Sequence, residues 1–170
     1  QSIHFHFVDP DWARRMEGFH FLRWEHQAFQ WTQNGLSSFA EYLQGFKSGQ
    51  RKNIKRERRA LQEQGITVST LTGKEVTRDA LAEMYSCYEM TNAKYAPWNC
   101  KFLNQEFFLE LGERFSHRLL MFRASREGGS LVGASLLVFK GERLYGRYWG
   151  GVDEVSHLHF NLCFYHPIEW

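Results

Sequence analysis

The chain has no apolar run long enough to cross a bilayer, and its opening stretch, QSIHFHFVDP, shows no basic flank leading into an apolar core. Neither a spanning helix nor a signal peptide is therefore expected within it. Cysteine is scarce: Cys87, Cys100 and Cys163 are an odd number without paired spacing, which argues against a disulfide framework and points to the cytoplasm. Strong net charge is also missing, at +2, and there is no internal repeat or low-complexity tract. What is present is a soluble, globular composition of 170 residues, 43% hydrophobic and 24% charged, enough for one domain with a real core. Aromatics reach 16%, and rings in excess of core needs hint at a ligand-lined cleft.

The small net charge hides an uneven distribution. Residues 47–63 hold Lys47, Arg51, Lys52, Lys55, Arg56, Arg58 and Arg59 against only Glu57 and Glu63. On a helix, Arg51, Lys55 and Arg59 recur at i, i+4 and i+8 with Lys52 and Arg56 alongside, while Ile54 and Leu61 give a thin packing stripe. Like charges so placed repel unless an anion relieves them. That favours a phosphate-bearing partner: a nucleotide-like cofactor, a tRNA or a lipid head group. A solvated face with local Glu pairs explains the same pattern.

Periodicity predicts the elements. Residues 2–8 and 19–31 alternate like strands on either side of a short helix over 9–19 that stops near Gly18, and Asn34–Gly35 marks a turn. A short helix over 37–46 puts Phe39, Tyr42, Leu43 and Phe46 on one side. Ser48 is placed to cap the basic helix, Gly65 to end it, and 66–71 to follow as a strand. Thr77 and Asn104 cap two more helices, the first carrying Leu81, Met84, Tyr85, Tyr88 and Tyr95 at helical spacing. Residues 119–125, 131–139 and 143–150 read as three antiparallel strands joined by tight turns. A last helix from about Ser156 should break at Pro167, which lacks a backbone donor. The order implies an α/β (α+β) domain around a mixed sheet.

Three constellations carry candidate chemistry. In the third of those strands, Gly146 and Gly150 flank Arg147, Tyr148 and Trp149, and glycine in a strand marks a bulge or a close backbone approach. Alternation places Tyr145, Arg147 and Trp149 on one face and Tyr148 on the other. An Arg at the lip of a cleft grips a carboxylate or phosphate with two bonds, and a Tyr can donate a proton. An aromatic core strand with a snorkelling Arg remains the plain alternative. In 156–166, His159, Cys163 and His166 fall at i, i+4 and i+7, which are metal-ligand types without a fourth ligand; Cys163 would be a nucleophile only with a lowered pKa. Tyr88, Thr91 and Lys94 occupy consecutive helical turns and can line a substrate pocket or form a polar edge.

The stretches RKNIKRERRALQEQGI (51–66), YEMTNAKYAPW (88–98), FLNQEFF (102–108), LYGRYWG (144–150) and LHFNLCFYHPIE (158–169), in this order, resemble the FemAB-like group of predicted N-acyltransferases. That group belongs to the peptidoglycan biosynthesis/recognition class of the GNAT superfamily. The resemblance implies two GNAT-like halves in tandem: residues 1–47 as the tail of the first with a connecting helix, and 48–170 as an incomplete second half. It implies transfer of an acyl or aminoacyl group from acyl-CoA or aminoacyl-tRNA to an amine, such as that of a peptidoglycan precursor, with no covalently bound cofactor and no metal. On that reading Tyr148 is the general acid, His159 a base acting directly or through water, and Arg147 the residue that orients an anionic group. Gly150 and Gly151 hold the donor, and Arg51, Lys52, Lys55 and Arg56 its phosphates. Tyr145, Trp149, Thr91, Lys94 and Tyr165 face the substrate. The chain departs from the family where Asn161 replaces an acidic residue, Phe164 a Tyr, His166 a Gln and Pro167 a small residue. The glycines of GGVDEVSHLHF also lack the spacing of a pyrophosphate loop. A non-catalytic module that binds peptidoglycan precursors or RNA, and a metal protein built on His159, Cys163 and His166, are the rival readings.

Overall fold

The structure is a computed structural model, and it describes residues 2–6, 8–25, 27, 29–97 and 101–170. The chain divides into two compact units, Gln1–Gly35 and Leu36–Trp170.

The first unit is built on α1 (Pro10–Glu17). The Asp9 carboxylate accepts from the backbone N–H groups of Asp11 and Trp12, and Pro10 costs nothing in the first turn, where its N–H would have no partner. Phe5 meets the edges of Trp12 at 5.0 Å and Phe21 at 5.6 Å. The strands expected over 2–8 and 19–31 are not formed at the described residues of those stretches; Phe7, His26 and Ala28 lie outside them. Alternation alone makes no strand, because a strand needs a neighbour to take its backbone hydrogen bonds.

The second unit opens with α2 (Phe39–Gln44), capped by Ser38, and α3 (Ser48–Glu63), for which Lys47 rather than Ser48 is the N-cap. Gly65 follows α3 with φ +68°, the left-handed conformation that only glycine adopts cheaply. Next come β1 (Ile66–Thr72), α4 (Arg78–Lys94) and α5 (Gln105–Phe115). Thr77 accepts from the Ala80 N–H and Asn104 from the Phe107 N–H, as the capping pattern predicts. Three strands follow, β2 (Leu119–Arg126), β3 (Leu131–Lys140) and β4 (Arg143–Gly151). They join β1 in one sheet ordered β1-β2-β3-β4, with every adjacent pair antiparallel. The α+β architecture is thus as expected, but among the described residues the sheet is antiparallel rather than mixed, because each strand from β2 to β4 returns through a short turn.

Both faces of the sheet are covered. Leu119 and Met121 of β2 with Ala134 and Leu136 of β3 pack under Leu81, Met84 and Cys87 of α4 and Phe108 of α5. Leu120, Phe122, Val132 and Leu137 point to the opposite face, where Leu61 of α3 and Leu158 and Leu162 of the terminal helix close over them. Full burial of such side chains is worth about 1.5–3 kcal/mol each, which fixes both layers on the sheet. Leu43 of α2 packs with Ile54 and Tyr165 in a smaller cluster, so the connecting helix belongs to the second unit.

The terminal helix runs through Leu158–Phe160, a π-helical turn at Asn161–Tyr165, and His166–Glu169. Pro167 does not end it. The His166 N–H reaches back five residues to the Asn161 carbonyl. In that register the missing proline N–H would have served the Leu162 carbonyl, and the Ser135 hydroxyl donates to this oxygen instead, at 2.7 Å.

Candidate functional site

The register of β4 decides what its aromatic run can do. Leu136 pairs with Tyr148 but Leu137 pairs with Gly146, so Arg147 is an extra residue in a β-bulge. The bulge resets the alternation. Tyr148 packs with the α4/α5 side, and Tyr145, paired with Val138 of the same cluster, shares its face; Trp149 packs with the α3 side. The expected grouping of Tyr145, Arg147 and Trp149 against Tyr148 is therefore corrected: a bulge adds one residue, and one residue reverses every later side chain.

Tyr148 is half-buried, with Tyr88 at 5.6 Å and Phe108 at 5.5 Å, and the exposed Arg147 places its guanidinium 5.5 Å from the Tyr148 ring centre. His159 lies across the sheet from Tyr148, its ring 4.6 Å from the Trp149 indole and flanked by Phe160 and Phe164. That apolar packing lowers the His159 pKa, so the imidazole is neutral at pH 7 and able to accept a proton. The structure does not bring the acid and base inferred from the sequence to one point.

It does bring four other candidates together. A cleft of about 530 Å³ opens where β4 ends, and Thr91, Lys94, Trp149 and Gly151 line it. The size is that of a small-molecule site. The Thr91 hydroxyl donates to the Trp149 carbonyl at 3.1 Å, and the Val152 N–H donates to Val132 at 2.9 Å. Antiparallel pairing alternates, so Tyr148 and Gly150 turn their main-chain groups toward β3, while Trp149 and Gly151 turn theirs toward the open edge. The loop over 152–156 also lines the cleft. Its Glu154 carboxylate meets Lys94 at 3.2 Å across the mouth, an exposed pair of the weak kind. Asp153, Glu154 and Ser156 were not singled out by sequence reasoning, although they directly follow the glycine pair.

The glycines divide in role. A Cβ at Gly150 would stand 2.1 Å from the Cys87 carbonyl and 2.7 Å from the Thr91 hydroxyl, so its bareness admits the α4 backbone rather than a ligand. Gly146 faces open space, and Gly151 lines the cleft.

The remaining candidates lie elsewhere. Tyr165 is buried, and burial first and then the bond of its hydroxyl to Glu57 raise its pKa; it ties the terminal helix to α3. Asn161 is buried and its amide donates to the Glu57 and His157 carbonyls, a task no carboxylate performs. Burial pushes the Cys163 thiol up to about 12 and Cys87 up to about 11, so neither is an activated nucleophile. Cys100 lies outside the described residues. His159 packs tilted against Trp149 and His166 tilted against Phe122, and among the described residues no three His, Cys, Asp or Glu side chains form a metal-holding group. Arg51, Lys52, Lys55 and Arg56 sit on α3, which packs against β1 at the other edge of the sheet, about 14 Å from β4 at three strand spacings.

An antiparallel sheet covered by helices on both faces, with a cleft where β4 ends, defines an α+β domain. Comparison with protein families narrows the class: the FemAB-like family model, described by peptidoglycan biosynthesis/recognition, matches residues 1–170, and the chain belongs to that family. No curated protein matches it significantly.

Proposed function

We propose that the chain serves N-acyl transfer, with the cleft at the end of β4 as its centre. One observation carries this reading: Thr91, Lys94, Trp149 and Gly151, chosen from the sequence for donor and substrate contact, line a single cleft beside the edge of β4 that no strand among the described residues pairs. The outward main-chain groups of Trp149 and Gly151 suit a ligand that itself carries amides in an extended chain, since such a ligand adds to the edge as a further strand would. Both the donor arm of an acyl thioester and a peptide-bearing precursor have that chemistry.

In the reaction, the acceptor amine attacks the acyl carbon. A C–N bond forms, the C–S or C–O bond of the donor breaks, and the leaving sulfur or oxygen takes a proton. The outward main-chain N–H of Gly151 polarises the carbonyl. Neutral His159, at the back of the Trp149 indole, receives the amine proton through water, and Lys94, once parted from Glu154, holds an anionic group of donor or acceptor. Arg147 and Tyr148 do not line this cleft.

Calorimetry of the full-length protein with acetyl-CoA, longer acyl-CoAs and aminoacyl-tRNA, followed by turnover assays, tests the proposal. Binding of one donor class that falls at least about tenfold in Trp149→Ala is expected. Absence of binding by every donor removes it.

The separation of Tyr148 from His159 favours a second reading, a module that binds a peptidoglycan precursor without catalysis. It predicts precursor binding at the same cleft and no transfer with any donor.

A further inference from the structure

A second cleft, of about 550 Å³, lies at the opposite edge of the sheet, between α2, α3 and β1. Its floor is apolar: Leu43, Leu61 and Ile66 are buried there, and Phe39 and Val68 form the walls. Its rim is cationic, with Lys55, Arg58 and Arg59, and among the described residues no carboxylate lines it. Arg58 is held in place, bonded to Glu169 through both terminal nitrogens with its guanidinium 4.3 Å from the Phe39 ring centre. Its charge is thereby answered. Lys55 and Arg59 are exposed, and among the described residues neither has a carboxylate within ion-pair distance. They stand one helical turn apart, about 6 Å, so both can reach one anion. Gln62 and Thr67 add neutral hydrogen-bonding groups at the same rim.

We infer that this cleft is a binding site for a soluble phosphate monoester with a flat apolar body, distinct from the transfer cleft and independent of that reading. Two uncompensated cations match the double charge of a phosphate monoester better than the single charge of a carboxylate. The apolar floor gives the body of the ligand a place that a bare phosphate cannot use, so the ester binds more tightly than inorganic phosphate. A polynucleotide is disfavoured because Arg51, Lys52 and Arg56, which would continue its track along α3, do not line the cleft.

The probe is 1-naphthyl phosphate, titrated calorimetrically into the whole chain at about 150 mM salt, with 1-naphthol and inorganic phosphate as its two halves. The ester is expected to bind at least about tenfold more tightly than either half. Lys55→Glu/Arg59→Glu should weaken it by about tenfold or more, whereas Lys52→Glu/Arg56→Glu, the same charge change on the same helix, should weaken it by less than about threefold. In the unmodified chain the methyl resonances of Leu43 and Val68 should shift on titration, which decides the site even if a double variant misfolds. The proposal is overturned by equal losses in the two variants, by a naphthol affinity equal to that of the ester, or by unmoved methyl signals. Sedimentation with phosphatidic acid vesicles in the absence of ester binding would also overturn it, in favour of a membrane surface.

Discussion

The Thr91 hydroxyl on α4 donates to the main-chain oxygen of Trp149 on β4 at 3.1 Å, tying a helix to the outer edge of the last strand. Thr91→Val keeps the shape and removes the donor. A loss of about 0.5–1.5 kcal/mol is expected in urea denaturation, the net worth of one such bond. The same variant leaves the Trp149 carbonyl open to a ligand, so donor affinity should not fall in proportion.

Gly150 and Gly146 should respond oppositely to a methyl group. Gly150→Ala drives a Cβ into the Cys87 carbonyl, and forcing α4 off β4 is expected to cost about 1–3 kcal/mol or more. Gly146→Ala meets nothing within 4 Å and should stay within about 0.5 kcal/mol of the parent. Equal midpoints for the two variants would contradict the packing of α4 on β4.

Acid should weaken the fold above the carboxylate range. Burial lowers the pKa of His159, and burial and then Arg58 lower that of His166, so the unfolded chain takes up protons more readily than the folded one. Stability from this source is complete above the ordinary histidine value near 6.5 and is lost as pH falls through the folded values. Melting temperatures read between about pH 7.5 and pH 5 should therefore fall, and His159→Phe, which keeps a ring against Trp149, should flatten part of the slope.

Asn161→Asp tests what the buried amide does. The side chain would aim carboxylate oxygens at two carbonyls, costing about 1–3 kcal/mol or more. Burial would raise the new carboxyl above about 3.9, so the deficit should widen as pH rises from there. A variant as stable as the parent at neutral pH would show that the two carbonyls do not depend on the amide.

Tyr165→Phe separates support from recognition. It removes the bond to Glu57 and should lower stability by about 1 kcal/mol while leaving ligand affinity at the β4 cleft unchanged, measured by denaturation and calorimetry together.

Local pattern determined much of this protein. The caps at Thr77 and Asn104, the left-handed glycine after α3 and the three consecutive β-strands follow from short-range rules of hydrogen bonding and turn chemistry, and each was legible. Thr91, Lys94, Trp149 and Gly151 were legible as candidates by residue type. Only tertiary structure decided which of them meet. The bulge at Arg147 exists because β4 must stay in register with β3, and it alone puts Trp149 and Tyr148 on faces that simple alternation would have assigned differently relative to Tyr145. Gly150 answers to Cys87, sixty-odd residues away in sequence, and Pro167 is tolerated because Ser135 of another element serves the Leu162 carbonyl. Contacts between distant segments leave no periodic trace in the chain, since either partner satisfies its own local rules without the other.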